Sequence, residues 1–448
     1  MLTTTTFSPG VLDRRTPYTP DGERLTRLLA ELARRHRVPA AQLTVHSGGR
    51  TAAVSTGGCG TAAKFPIGSI TKPFTAALVL QLVADGDLEP GDPIGEHLPE
   101  LGPQLGRLSV AQLLSHTGGL PATLGAAADG PGRRYLRACR EAGPLQPPGL
   151  GFSYSNVAYV LSGGLIEAVT GMSWRETVVK LLLEPLGIEP AFTVEPGARH
   201  RDLPFVSGHA VHAVTGQARA VAQTLGAAEA PAGALALSAT DLVFFGLMHC
   251  GGVSVLPEEL AALMRRPVPG ADPFGLADGW GLGLACYHGA DADWAGHDGT
   301  ADGTSCHLRV DAGHGRVVAL TTNAGTGSAL WADLVAALGA SGLPVGDYEL
   351  PGTTGGEPGL PVAGLAGRYT NADLEYRVDV PDDGEAALLV GGEPYPGLTV
   401  REDGLFSVRE PGTGRRIVGG RFLTDPSTGQ VSGLQTGGRV ARRRPAGY

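Results

Sequence analysis

The sequence predicts a mixed α/β protein of the α+β kind with a small β domain at its C-terminal end. Up to about residue 345, segments with apolar residues at helical spacing are mixed with short alternating segments. A stretch rich in glycine and proline, without periodicity, then covers residues 346–364 and is typical of a linker. Short alternating runs separated by turn residues fill residues 365–448. We therefore predict one domain over 1–345, a linker, and an antiparallel β-sandwich or barrel over 365–448.

The N-terminal part predicts a helix, a hairpin and a second helix. Residues 21–37 carry leucines at helical spacing and arginines on the opposite face. Residues 40–58 alternate apolar and small polar residues around a Gly-Gly turn, which predicts a β-hairpin. The next helix ends near Gly86, and its Pro73 is tolerated only within the first turn. That restriction places Ser69 at or next to the helix N-terminus.

Further helices and strands follow before the linker. Residues 231–250 are largely apolar but are interrupted by Asp241, and we interpret this stretch as one buried helix. The strand pattern appears in two later segments and is followed by a last helix. The remaining predicted helices lie within 109–120, 156–171 and 173–187, the strands within 280–289 and 305–324, and the last helix within 328–339.

Composition and charge exclude several classes of function. The net charge of −9 leaves no basic face for a nucleic-acid backbone and no polybasic membrane patch. The first residues lack the apolar core of a signal peptide, and no stretch of about 18 apolar residues occurs. Five widely spaced cysteines without a CxxC pair indicate free thiols in a reducing compartment. The sequence therefore predicts a cytoplasmic protein without nucleic-acid or membrane partners.

Ser69 and Lys72 form the first candidate catalytic pair. The chain contains only three lysines, and a spacing of three residues on a helix puts both side chains on one face. A serine hydroxyl needs a neighbouring base, and a buried lysine can lose its proton whereas arginine cannot. The helix N-terminus adds N–H donors for an oxyanion. The alternative is a surface lysine near a capping serine, because Ser-x-x-Lys alone is a weak pattern.

Tyr154 and Asn156 form the second candidate pair, in "FSYSNVAY". A tyrosinate beside a lysine ammonium can relay the serine proton, and the amide can hold the substrate carbonyl and the lysine. The alternative is structural: the tyrosine ring packs, and Asn156 caps the helix that follows.

The third candidate element is "WAGHDGTADGTSCHLRV", which contains His297, Gly299 and Thr300. It is also compatible with a plain hairpin, because Asp-Gly pairs are ordinary turn chemistry. A metal site would use the side chains His297, Asp298, Asp302 and His307. Their spacing fits no standard zinc pattern, so we expect no metal.

Taken together, the three elements and their flanks resemble the serine β-lactamase and penicillin-binding-protein superfamily, and most closely its class C β-lactamase-like branch. The flanks that carry the resemblance are "FPIGSITKPFTA", "LSVAQLLSHTGGLP" and "PGLGFSYSNVAYVLSGGLIEAVTGMSW", and it extends over residues 25–340. The resemblance implies a β-lactamase-like transpeptidase fold with an antiparallel sheet and a helical subdomain. The C-terminal domain resembles the lipocalin-like β-barrel appendage of several members.

The resemblance also implies roles for single residues. Ser69 matches the acylated nucleophile and Lys72 the lysine that activates it. Tyr154 matches the proton-relaying tyrosine and Asn156 the substrate-orienting asparagine. The Lys-Thr-Gly motif of most members is His297-Asp298-Gly299 here, and the missing lysine argues against β-lactamase activity.

The oxyanion hole of the superfamily would be formed by the backbone N–H groups of Ser69 and Thr300. Nothing in the pattern requires a metal or an organic cofactor.

The sequence looks most like the stand-alone penicillin-binding-protein-type thioesterases of nonribosomal peptide biosynthesis. This resemblance implies a peptidyl thioester substrate, delivered by a carrier domain with phosphopantetheine and released as a head-to-tail macrocycle. Kinship with D-alanyl-D-alanine enzymes implies a D-residue at the acyl C-terminus. We expect the C-terminal domain to cover the site and His297 to orient or deprotonate the amine. The alternatives are an intracellular esterase, a D-amino-acid amidase or peptidase, an amide transacylase, and a binding protein without turnover.

Overall fold

The computed structural model describes residues 18–125, 132–194, 204–212, 214–252, 255–352, 362–381, 384–425 and 427–445. Its helices are α1 (Gly22–Arg35), α2 (Thr71–Asp85), α3 (Gly102–Leu105), α4 (Val110–Leu114), α5 (Gly132–Ala142), α6 (Asn156–Thr170), α7 (Trp174–Thr177), α8 (Ala230–Gly233), α9 (Ala239–Met248), α10 (Glu258–Arg265) and α11 (Gly327–Ala340).

The strands before the predicted linker are β1 (Ala41–Ser47), β2 (Arg50–Thr56), β3 (Phe65–Pro66), β4 (Ala191–Phe192), β5 (Gly208–Val211), β6 (Ala218–Val221), β7 (Leu235–Leu237), β8 (Gly279–Trp280), β9 (Ala285–His288), β10 (Asp293–Ala301), β11 (Thr304–Asp311) and β12 (Arg316–Thr322). Those after it are β13 (Gly367–Asn371), β14 (Leu374–Asp379), β15 (Ala387–Val390), β16 (Glu393–Pro396), β17 (Thr399–Val400), β18 (Leu405–Arg409), β19 (Arg416–Thr424), β20 (Val431–Thr436) and β21 (Arg439–Arg443).

A seven-stranded antiparallel sheet forms the framework, in the order β2-β1-β12-β11-β10-β9-β8. The predicted hairpin is confirmed, since β1 pairs with β2 around the turn after Ser47. Helices α1 and α11 pack on one face of the sheet and α9 packs on the other. Every residue of β1 is buried because helices cover both faces of the sheet.

The helical part surrounds α2, whose side chains are buried almost all round. A 3₁₀ turn over Gly68–Ile70 leads directly into this helix, so Ser69 lies just before its first turn. Pro73 falls within the first turn and the helix ends at Gly86, as the sequence predicts. Helix α6 packs against α2, and both belong to the larger of two core clusters in this part of the chain.

Two sequence predictions are wrong in this region. Residues 231–250 are not one helix: β7 lies between α8 and α9 and pairs with β3 and β4. A short apolar run fits strand and helix equally well, and the pairing with two distant strands decides here. Asn156 does not cap α6, because the hydroxyl of Ser155 accepts the N–H of Ala158 and Asn156 is the first helical residue.

The last part of the chain forms a nine-stranded antiparallel sheet that curls into a half-barrel. Its order is β16-β15-β14-β13-β21-β20-β19-β18-β17, and its concave side encloses a separate apolar core. The antiparallel strands predicted for residues 365–448 are present. Of the predicted linker, residues 346–352 form neither helix nor strand, whereas residues 353–361 lie outside the described residues.

The cysteines and the helix lengths add two further facts. All five cysteines are described and none forms a disulfide. Among the described helices, none has the length and apolar character needed to cross a bilayer.

Candidate active site

Ser69 and Lys72 lie together at the start of α2. The Lys72 ammonium donates hydrogen bonds to the Ser69 hydroxyl at 3.1 Å and to the Ala232 carbonyl at 2.9 Å. Sequence analysis expects the Asn156 amide to hold this lysine, but no hydrogen bond joins the two side chains. The lysine is held by the backbone of α8 instead.

Lys72 is fully buried, and its electrostatic surroundings favour the neutral amine. Its pKa is lowered to about 7, first by burial and second by the nearby Arg439, while Glu229 acts in the opposite direction. The Nζ atom lies 5.0 Å from the Tyr154 ring centroid and 5.7 Å from that of Tyr159. A large neutral fraction is therefore present near pH 7, as a base for the Ser69 proton requires.

Two glycines allow the 3₁₀ turn to approach β10 closely. Gly68 has φ +51, and a Cβ there would overlap the Thr300 carbonyl. A Cβ on Gly299 would overlap the Ile67 carbonyl oxygen. This backbone-to-backbone contact brings Thr300 of β10 beside Ser69, as an oxyanion hole built from their two N–H groups requires.

Tyr154 is a buried, neutral phenol next to this pair. Burial raises its pKa to about 12, although Ser69 and Arg439 act to lower it. The hydroxyl has no hydrogen bond of good geometry among the described residues, but Ser69 lies close enough to influence its titration. Lys72 loses its proton at a much lower pH than Tyr154. This difference favours Lys72 as the base and Tyr154 as a proton donor.

His116, which sequence analysis did not single out, holds the segment that carries Tyr154. Its carbonyl accepts the N–H of Ser153 at 3.0 Å, and its Nδ1 accepts the N–H of Ser155 at 3.1 Å. The backbone of His116 has the uncommon φ of +58, and its ring centroid lies 4.4 Å from that of Tyr154. These contacts fix the backbone on both sides of Tyr154 and support its ring.

His297 offers the site a buried hydrogen-bond acceptor. Its Nδ1 lies 2.5 Å from the Asp298 carbonyl and must donate to it, which leaves Nε2 unprotonated. No described group bonds to that Nε2 atom. Burial, and after it the charge of Lys72, lower the pKa of His297 to about 3, so the ring is neutral. This histidine can orient an N–H group but is a weak base.

The neighbouring carboxylates are used within the protein. Asp298 accepts hydrogen bonds from Arg309 and His307, which hold its pKa well below the usual range although burial opposes this. Asp302 accepts from the backbone and hydroxyl of Thr224. The described residues contain no group of three or more histidine, cysteine or acidic side chains placed to hold a metal ion.

Two cavities meet at Ser69 and Thr300, which line both of them. The larger, of about 390 Å³, is mainly polar and includes Asn156 and Glu229. Its other lining residues are Gly68, Gln223, Thr224, Leu225, Ala232, Gly233, Ala301 and Asp302. The smaller, of about 190 Å³, is lined by Tyr154, Leu276, Trp280, Tyr287, His297, Asp298 and Arg439. A substrate can therefore extend from Ser69 in two directions.

Arg439 reaches the smaller cavity from the C-terminal sheet. It is the first residue of β21, and its guanidinium carbon lies 5.1 Å from the Tyr154 ring centroid. The turn before it is held in place, because the Gly438 carbonyl accepts the Tyr154 N–H and the Gly438 N–H donates to Phe274, both at 2.8 Å. The C-terminal sheet thus supplies one wall of the cavity.

The seven site residues proposed from the sequence come together. Around the nucleophile Ser69 lie Lys72, Tyr154 and His297. The larger cavity is lined by Asn156 and Thr300, and Gly299 allows β10 to approach the turn that carries Ser69. No sequence pattern indicates His116, Trp280 or Arg439 as site residues. His116 lies in "LSHTGGLP", and these letters do not show that its backbone adopts a positive φ. Arg439 ends the turn "TGGR" at residues 436–439, and nothing in this turn indicates that it packs beside residues distant in the sequence.

Sequence comparisons relate most of the chain to known proteins. The family model described as Beta-lactamase matches residues 25–340. Penicillin-binding protein 4 of Amycolatopsis lactamdurans is 33% identical over 324 residues, which cover 67% of this chain and 84% of that protein.

Three solved structures extend the comparison. SurE is 41% identical with a TM-score of 0.84, over 94% of this chain and 99% of SurE. A second SurE structure contains D-Leu. A D-stereospecific amidohydrolase from Streptomyces is 26% identical with a TM-score of 0.58, over 68% of this chain and 94% of that one. The chain belongs to the β-lactamase family of serine hydrolases and acyltransferases.

Proposed function

We propose that this protein is a serine acyltransferase that releases a peptide from a carrier-bound thioester as a head-to-tail macrolactam. The meeting of two cavities at Ser69 is the observation that carries the proposal, because cyclisation must hold both ends of one peptide at the nucleophile. Delivery from a biosynthetic carrier domain would place the reaction in the cytoplasm.

In the first half of the reaction, Lys72 takes the Ser69 proton and Oγ attacks the thioester carbonyl. The oxyanion lies against the N–H groups of Ser69 and Thr300, and Tyr154 donates a proton to the leaving thiolate. The acyl chain extends into the larger cavity, where the Asn156 amide can hold a peptide carbonyl. An ester on Ser69 and a free thiol result.

In the second half, the peptide's own amine enters through the smaller cavity and attacks the ester. The Nε2 atom of His297 accepts one amine N–H and orients the lone pair toward the carbonyl. A guanidinium disfavours a second positive charge, so Arg439 favours the neutral, nucleophilic amine over the ammonium ion. Tyr154, left as tyrosinate by the first half, takes the amine proton, and the Lys72 ammonium returns a proton to Ser69 as the amide forms.

Similarity supports the choice of acyl residue. The similar protein SurE has been solved with D-Leu, and the similar Streptomyces enzyme is named as D-stereospecific. We therefore propose that the acyl C-terminal residue has the D configuration.

A hydrolase is the second candidate function, and the same amidohydrolase similarity favours it. In that case water rather than an amine would enter through the smaller cavity.

A linear peptide thioester of N-acetylcysteamine with a C-terminal D-residue tests the proposal. We expect a product lighter than the free acid by one water, detected by mass spectrometry, and no product with Ser69→Ala. The epimer with a C-terminal L-residue should react at least tenfold more slowly. Formation of the free acid alone would favour the hydrolase and contradict the cyclase.

A further inference from the structure

Helix α5 carries a stripe of arginines on its exposed side. Tyr135 and Cys139 are buried in the main core cluster. Arg133, Arg137 and Arg140 follow at i, i+4 and i+7 and therefore lie on one face, opposite the buried pair. All three are exposed. In a chain with a net charge of −9, this is a local concentration of positive charge.

No acidic side chain among the described residues forms an ion pair with these arginines. Arg134 is exposed beside the stripe, and none of the four forms an ion pair within the described residues. Elsewhere, some exposed arginines, such as Arg35 and Arg368, pair with carboxylates. Arg50 and Arg107 are also exposed and form no ion pair within the part of the chain that the structure describes. What distinguishes α5 is that four such arginines lie within eight residues. The stripe is therefore available to attract an anionic partner.

An apolar groove adjoins the C-terminal end of α5. It measures about 310 Å³, and Leu150, four residues before Tyr154 in the chain, is 59% exposed just beyond it. Its lining residues are Gln104, Leu105, Leu108, Pro144, Leu145, Gln146, Pro147 and Pro148. Arg442 of the C-terminal sheet donates to the Leu145 carbonyl at 3.2 Å, so one wall of the groove is fixed.

The groove lies close to Tyr154 along the chain. Four residues span at most about 14 Å, so Leu150 is within that distance of Tyr154. A partner that contacts the groove beside Leu150 therefore lies near the segment that carries Tyr154.

We propose that the arginine stripe of α5 and the adjoining groove dock the carrier domain that delivers the peptidyl thioester. This inference rests on the proposed function. Phosphopantetheine is joined to its carrier by a phosphodiester, which bears a negative charge at the carrier surface. The arginines attract that charge and acidic residues around it, while Leu150 and the prolines contact apolar side chains.

Charge reversal on α5 tests the proposal. The variant Arg133→Glu/Arg137→Glu is compared with Arg27→Glu/Arg34→Glu, which reverses two exposed arginines of α1. The buried side of α1 belongs to the other core cluster of this part of the chain. The substrates are one peptide loaded through phosphopantetheine on an acidic peptidyl carrier domain, and the same peptide on N-acetylcysteamine.

We expect the α5 variant to lose about tenfold or more in kcat/KM for the carrier-bound peptide at low salt. The loss should shrink at about 0.5 M salt, where charges are screened. Turnover of the N-acetylcysteamine thioester should not change, and the α1 variant should behave as wild type with both substrates.

Three outcomes would overturn the docking proposal: an unchanged α5 variant, an equal loss in the α1 variant, or no preference of the wild type for the carrier-bound peptide. If the α5 variant also turns over the N-acetylcysteamine thioester more slowly, the milder variant Arg133→Gln/Arg137→Gln is the deciding test. It must lose rate with the carrier-bound peptide and keep its rate with the N-acetylcysteamine thioester; otherwise the docking proposal is wrong. A wild type that forms no cyclic product from either substrate would instead contradict the proposed function.

Discussion

Replacing Arg439 with glutamine removes the positive charge that the C-terminal sheet places beside Lys72. That charge disfavours the lysine ammonium, so its removal raises the pKa of Lys72 from about 7. Because Lys72 must be neutral to accept the Ser69 proton, the acid limb of the kcat/KM profile should move to higher pH.

The size of the effect follows from two distances. The Arg439 guanidinium carbon and the Lys72 Nζ atom lie 5.1 and 5.0 Å from the same Tyr154 ring centroid. The two charges are therefore at most about 10 Å apart, where they interact by about 1.7 kcal/mol at an effective dielectric constant of about 20. This energy corresponds to about one pKa unit.

The assay is kcat/KM for a small peptide thioester between pH 5.5 and 9.5. We expect the wild-type rate to fall below about pH 7 and that of Arg439→Gln to fall about one unit higher. Arg439→Lys keeps the charge and should keep the wild-type profile. Overlapping profiles for wild type and Arg439→Gln would refute the electrostatic reasoning. Equal shifts in both variants would mean that shape, not charge, matters.

Three other substitutions test single contacts. Lys72→Arg should lower kcat/KM by about a hundredfold or more, because arginine cannot accept a proton; near-normal turnover would exclude Lys72 as the base. His116→Asn tolerates the positive φ but loses the ring beside Tyr154. We expect the free energy of unfolding, measured with denaturant, to fall by about 1–3 kcal/mol and kcat to fall as well; unchanged values would contradict the role of His116 in holding Tyr154. Gly299→Ala puts a Cβ against the Ile67 carbonyl and should lower kcat about a hundredfold through the displaced oxyanion hole, whereas a normal kcat would remove that role.

The sequence predicts most elements of the fold, and its errors have local causes. Periodicity locates α1, the β1–β2 hairpin and α2, because each has a clear apolar face or a distinct turn or end signal. Residues 235–237 look helical because Leu-Ala-Leu is too short to show a period, and only pairing with β3 and β4 makes them a strand. At the start of α6, two adjacent residues are good caps, and backbone geometry selects Ser155 over Asn156.

The sequence predicts those parts of the site whose residues lie close together in the chain. Ser69 and Lys72 are three residues apart at a helix start, so their contact follows from helix geometry. Arg439 lies 370 positions after Ser69 in the sequence and enters through a β turn of another sheet. No local pattern encodes such an approach. The neutral state of His297 likewise depends on burial, which only the packed structure shows.

The intact mass of the protein after brief mixing with a peptide thioester tests the central claim most directly. We predict a mass increase equal to the peptidyl group, mapped by proteolysis to Ser69 and absent in Ser69→Ala. A Lys72→Arg protein should form the adduct far more slowly. An adduct on another residue, or turnover of the thioester without any serine-bound peptide in rapidly quenched samples, would contradict the serine acyl-enzyme mechanism.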